Sequence, residues 1–88
     1  MHNEFKKDDL TTIPGIGKSL AQDLRNIGIH SVAGLKGLDP SQVYDRSNQY
    51  AGVVQDPCVL YAFRCAVYFA EGGREPEKLK WWNWKDIK

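Results

Sequence analysis

The sequence predicts a small all-α fold of about five helices in one domain, and three observations predict it. Apolar residues recur at helical spacing along most of the chain, and no segment of useful length alternates with the period of a strand. The pairs Asp39-Pro40 and Asp56-Pro57 are helix starts, each a capping carboxylate followed by a proline whose missing N–H costs nothing at the first helical position. Glycines at Gly28 and at Gly72-Gly73 are helix stops.

Each element follows in order. Residues 1–7 are expected to form a flexible charged arm. Asp8 or Asp9 then caps a short helix that carries Leu10 and Ile13 inward. Pro14-Gly15-Ile16-Gly17 breaks it in a tight turn. Leu20, Ala21, Leu24 and Ile27 predict a helix over residues 18–27, ended by a left-handed Gly28. Ile29 and Val32 drop into the core beside Leu35, with Ser31 capping a third short helix. Val43 and Tyr44 are the buried face of the helix opened by Asp39-Pro40, and residues 47–55 are its end plus a loop. The longest helix covers residues 57–71: Leu60, Phe63, Val67 and Ala70 mark one face, Tyr61, Cys65 and Tyr68 an adjacent one. So wide an apolar arc predicts a central helix packed on more than one side. Residues 73–88 form a tryptophan-rich tail.

Composition narrows the function. With 88 residues, 42% of them hydrophobic, and ten aromatics, the chain can close one compact core. Its net charge of +1 excludes a broad electrostatic footprint for nucleic acid, so any such site must be local. The polar N-terminal stretch does not read as a signal peptide, and the apolar run at residues 58–70 is too short to span a bilayer. Cys58 and Cys65, two helical turns and roughly 10 Å apart, are too distant for a disulfide. With no His or Cys partners nearby they form no zinc set, and they read as two buried thiols in a cytoplasmic protein. No cofactor is implied.

Residues 10–24 carry the chemistry. Two glycines let the backbone turn with no side chains in the way, so that another chain can approach closely. Gly17 opens a helix whose first amides have no intrahelical acceptor, and those donors, at the positive end of the helix dipole, suit an anion. Lys18 and Ser19 add a charge and a hydroxyl, while Ile16 points back into the fold. A phosphate held by backbone amides is held without regard to base identity. Gly17 is expected to need unusual dihedrals, and Gly15 likewise, so that a valine at 17 harms both fold and binding. A Rossmann loop is excluded because Leu20 stands where its third glycine belongs and no strand precedes the turn. A P-loop is excluded by the spacing of the glycine before Lys18.

The segment from Leu10 to Leu24 resembles the helix-hairpin-helix motif of DNA repair glycosylases, ligases, nucleases and X-family polymerases, matching it at every defining position. Continued through Gly28-Ile29-His30-Ser31-Val32 to Leu35, it resembles the hairpin domain of DNA polymerase beta and other SAM-like helical domains. Almost the whole chain resembles a small bacterial family called pathogenicity locus, or mitomycin-resistance-protein-like. Asp56-Pro57-Cys58-Val59-Leu60-Tyr61 and Trp81-Trp82-Asn83-Trp84 carry that likeness. The resemblance implies a helix-hairpin-helix over residues 8–27, with phosphate donors in the amides of Gly15, Gly17 and Ser19 beside Lys18. It also implies a monovalent cation at the carbonyls of Thr11, Ile13 and Ile16 in some such motifs. The family label points to DNA repair or damage tolerance.

Residues 31–55 echo the motif in degenerate form. Gly37-Leu38-Asp39 takes the place of Gly15-Ile16-Gly17, but Asp39 sets a carboxylate where a phosphate would sit and Pro40 removes a donor. Trp81, Trp82 and Trp84 lie among Lys78, Lys80, Lys85 and Lys88, a pattern that either stacks bases along a single strand or closes a small core. Packing on the long helix is the expectation for Trp81 and Trp84. Arg64, inside an apolar helix, needs a partner such as Asp56 or Glu71. His2 and His30 are isolated, and Tyr50, Tyr61 and Tyr68 read as packing residues.

Two functions remain. The first is a non-catalytic module binding duplex DNA independently of sequence through Gly15, Ile16, Gly17, Lys18, Ser19 and Arg25, with Lys18, Arg25, His30 and Lys36 on one side. The second is a protein-interaction adaptor that uses the exposed faces of the long helix and the tryptophan tail, with the hairpin purely structural, marked by an exposed apolar patch. No nucleophile–base pair, carboxylate pair or metal cluster supports an enzyme.

Overall fold

The two Asp-Pro signals act as the sequence dictates, and they set the frame. In a computed structural model describing residues 9–85, three α-helices carry the chain: α1 (Lys18–Asn26), α2 (Pro40–Ala51) and α3 (Pro57–Ala70). The Asp39 carboxylate accepts from the Ser41 amide at 2.9 Å and opens α2; Asp56 accepts from the Cys58 amide at 3.0 Å and opens α3. Glycine stops are equally plain. Beyond α1 the Gly28 amide donates to the Arg25 carbonyl and the Ile29 amide to the Leu24 carbonyl, with Gly28 at φ +93. That double closure is the Schellman pattern, and it seats Ile29 against the core. Gly72 and Gly73 end α3 with the same pair of bonds, to Phe69 and Tyr68.

The fold is all-helical, with no strand among the described residues. Among the described residues, in place of the expected five or so helices, stand three α-helices and four short 3-10 turns, Leu10–Thr12, Ala33–Leu35, Pro76–Leu79 and Trp81–Trp84. Segments of three or four residues close too few bonds to propagate an α-helix, and they survive here because tertiary contacts hold them. The first shows it clearly. Asp9 makes no side-chain cap for the turn that follows it; its carboxylate reaches instead to the Val32 amide at 2.8 Å, tying two turns distant in sequence. The flexible arm of residues 1–7, Asp8, His2 and Lys88 lie outside the described residues.

Leu10, Ile13, Ile16, Leu24, Leu35, Val43 and Phe63 are buried together, with Ala21, Ala62 and Ala66 letting backbones come close. α3 is central, as its wide apolar arc requires: α2, the Ala33–Leu35 turn and both C-terminal turns pack on it. Ser47 is the buried polar residue of the described chain, and its hydroxyl accepts from the Gln55 side-chain amide at 2.9 Å. Cys65 is buried but Cys58 is only half-buried, and both thiols are free. Tyr61 and Tyr68 are half-buried on α3, whereas Tyr50 is 64% exposed and does not pack into the core.

Candidate functional site

The 14–17 turn is fixed from three directions. The Ile13 amide donates to the Leu10 carbonyl at 3.1 Å and the Ile16 amide to the Ile13 carbonyl at 3.0 Å, while Ile13 and Ile16 bury their side chains. Below them the thiol of Cys65 on α3 lies 3.8 Å from the Pro14 carbonyl. Behind Gly15 stands Trp81: a Cβ at Gly15 would fall 2.9 Å from its Cδ1, and Gly15 has φ +88. Both the positive φ and this close approach require glycine there.

Gly17 is different. It caps α1 at φ −91, ψ −169, extended backbone that any residue adopts, and no atom lies within 4 Å of where its Cβ would stand. The expectation of strained dihedrals at 17 is therefore corrected: the strained glycine of the pair is Gly15. Nothing inside the described fold demands a glycine at 17. No side chain caps α1, and its first turn holds no acidic residue. Among the described residues the amides of Gly15, Gly17, Lys18 and Ser19 donate to no other group of the chain. The donors left over at the helix start thus face solvent beside the exposed side chains of Lys18 and Ser19.

The fold thus brings Gly15, Ile16, Gly17, Lys18 and Ser19 into one turn and helix start. Ile16 gives its side chain to the core and its amide to Ile13, so it shapes the turn. Of the carbonyls named for a cation, that of Ile13 already accepts the Ile16 amide. Arg25 sits in the last turn of α1, two helical turns from Lys18 and on nearly the same side. One of its nitrogens donates to the Gln22 side chain at 3.2 Å. His30 and Lys36 are exposed.

The second turn repeats the first atom by atom. The Leu35 amide donates to Val32, Leu38 to Leu35 and Val43 to Asp39, as Ile13 does to Leu10, Ile16 to Ile13 and Ala21 to Gly17. Gly37 matches Gly15 in its positive φ. The difference lies at the helix start, where the Asp39 carboxylate occupies the Ser41 amide and Gly17 brings no side chain to the Ser19 amide. The Gly37 amide is held too, by Glu71 just beyond the end of α3, at 3.0 Å.

In the tail, Trp81 packs against the core, and Trp84 lies over Tyr68 with ring centroids 5.6 Å apart. The Trp84 indole N–H donates to the Lys78 carbonyl at 2.7 Å. Arg64 finds its partner here: its guanidinium donates to the Trp84 carbonyl at 2.8 Å, not to Asp56 or Glu71, whose carboxylates hold the Cys58 and Gly37 amides. Arg64 also borders a surface cavity of about 340 Å³ beside Tyr68, Glu71 and Trp84. Burial pushes the Cys65 thiol up to about 11, in keeping with a thiol packed in the core.

The family model described as Pathogenicity locus matches residues 3–88. The chain belongs to the pathogenicity locus family. A relative named Mitomycin resistance protein McrB, from Streptomyces lavendulae, is 38% identical over 76 residues, covering 86% of this chain and 70% of its own. No solved structure matches. In this member of the pathogenicity locus family, no helix of the described residues is long and apolar enough to cross a membrane. Sequence reasoning missed three ties in it: Asp9 to Val32, Glu71 to Gly37, and the Arg46 guanidinium donating to the Ile27 carbonyl at the end of α1. Each joins residues 19 or more positions apart, and no local pattern signals such pairs.

Proposed function

We propose that this chain is a non-catalytic DNA-binding module in which residues 8–27 act as a helix-hairpin-helix, within a SAM-like arrangement, and seat a backbone phosphate of duplex DNA. The comparison of the two turns carries the reading. Asp39 marks where an oxyanion sits against such a helix start, 2.9 Å from the second helical amide. At the matching place Gly17 offers open space, free amides and a neighbouring lysine. A phosphate oxygen supplies what Asp39 supplies in the second turn. Recognition through amides is independent of base sequence. Arg25, farther along α1, adds a second cation to the strand's path.

With a net charge of +1, affinity rests on this local site and is modest. DNA repair or damage tolerance is the setting we propose, in keeping with the mitomycin resistance for which the relative is named. The test is a titration of labelled duplex at two salt concentrations, with the amide resonances of residues 15–19 followed in parallel. These should shift first, and Lys18→Glu should weaken binding alike across sequences and flatten the salt slope by about one. Largest shifts within α3 would place the contact elsewhere.

A protein-interaction role is the second reading. It is carried by Tyr50, Val53 and Val54 at the end of α2, which are 64%, 62% and 82% exposed. Binding of a protein there would leave the amide resonances of residues 15–19 undisturbed.

A further inference from the structure

The three tryptophans are not equivalent. Trp81 and Trp84 are half-buried and engaged by the core, by α3 and by the Lys78 carbonyl. Trp82 is 53% exposed, the most exposed aromatic of the described residues after Tyr50. It is also fixed in place. It lies within the 3-10 turn Trp81–Trp84, whose Asn83 amide donates to the Lys80 carbonyl at 2.9 Å. The Asn83 side chain donates to the Glu77 carbonyl at 2.8 Å, and the Trp82 ring stands edge-on to Trp81 at 5.8 Å between centroids. Trp81 is the ring that backs Gly15. A rigid, exposed indole is therefore one ring removed from the turn that carries the free amides. Exposed lysines flank it at 80 and 85.

An indole so held has lost little freedom on ligand binding and offers a flat apolar face beside cations. A base paired and stacked inside a duplex cannot use that face, whereas an unpaired base can. We propose that Trp82 stacks on an unpaired base next to the phosphate seated at the 14–17 turn, so that the DNA preferred is one whose strand leaves a duplex. This deepens the phosphate-seat reading and rests on it. Phosphate capture supplies affinity for any backbone; Trp82 selects the junction between paired and unpaired strand.

The experiment compares a blunt duplex with the same duplex bearing a single-stranded oligothymidine overhang, using the whole chain. The overhang should bind more tightly by roughly 5- to 150-fold, the range of one base stacked on an aromatic side chain. Trp82→Ala should bring the overhang down to the blunt-duplex level while the chain keeps its far-ultraviolet helical signal at the binding temperature, and Trp82→Phe should keep most of the preference. Lys18→Glu should weaken both probes together. A preference that survives in Trp82→Ala overturns the stacking role and leaves the phosphate seat standing. Binding that depends on Trp82 but is untouched by Lys18→Glu overturns the phosphate seat, and with it the placement of Trp82 beside one. A chain that binds neither probe overturns both.

Discussion

Trp81 stands against Gly15 so closely that a methyl group at 15 would meet its indole Cδ1 at 2.9 Å. The C-terminal tail thus forms the back of the N-terminal turn, and the turn's shape depends on a residue 66 positions away. Cys65 adds to the same joint, its thiol lying between the Pro14 and Lys78 carbonyls.

Gly15→Ala should lose stability for two reasons, the left-handed φ and the contact with Trp81, together on the order of 1–3 kcal/mol. Trp81→Ala should cost about 3 kcal/mol, the low end for a large aromatic because it is only half-buried. The double variant should be less destabilised than the sum, since removing the indole relieves the clash and leaves only the backbone strain. Denaturant midpoints of the four proteins measure the coupling. Strict additivity would mean that the contact contributes nothing.

Gly17→Asp rebuilds in the first turn the cap that Asp39 makes in the second. A carboxylate there can accept from the free amides of α1, which should raise stability by roughly a few tenths of a kcal/mol, since glycine is itself a tolerable N-cap. The same carboxylate should repel a phosphate and abolish DNA binding. Melting temperature up and affinity lost is the expected pair of readings on one sample. Affinity retained would remove phosphate capture at this turn.

Arg64→Met keeps the unbranched apolar stem of the side chain but not its bond to the Trp84 carbonyl. A hydrogen bond from a charged group is worth about 1.5–3 kcal/mol, and its loss should loosen the tail before the helices melt. Near-ultraviolet circular dichroism, dominated by the tryptophans, should therefore fall at lower temperature than the far-ultraviolet signal. Coincident transitions in Arg64→Met would show that this bond does not anchor the tail.

Asp56 contributes a pH dependence of defined sign. The hydrogen bond from the Cys58 amide holds its carboxyl below the usual carboxylate range. A carboxylate whose pKa is depressed by folding stabilises the fold above its unfolded pKa, and that contribution disappears as pH falls through the folded value. Asp56→Asn, still able to cap α3, should melt with a shallower acid dependence than the parent below about pH 4. Parallel curves would assign the acid sensitivity to another carboxylate. Asp23, raised by burial, acts with the opposite sign.

What the sequence determined by itself was everything written in short range. Helical spacing, the two Asp-Pro caps and the glycine stops set the all-helical class and the bounds of α1, α2 and α3, because capping and termination are decided within a few residues. The turn and helix start at 15–19, the candidate site, were legible for the same reason: turn, glycine and helix start are consecutive. Tertiary structure decided the rest. Asp9 turned from a local cap to Val32, Arg64 chose a carbonyl 20 residues away, and segments read as helices remained 3-10 turns. It also divided the glycines and the tryptophans, giving Gly15 the positive φ and leaving Gly17 open, packing Trp81 against the core and exposing Trp82. Identical residue types carry identical local preferences, so only the contacts made when α3 gathers both ends of the chain could tell them apart.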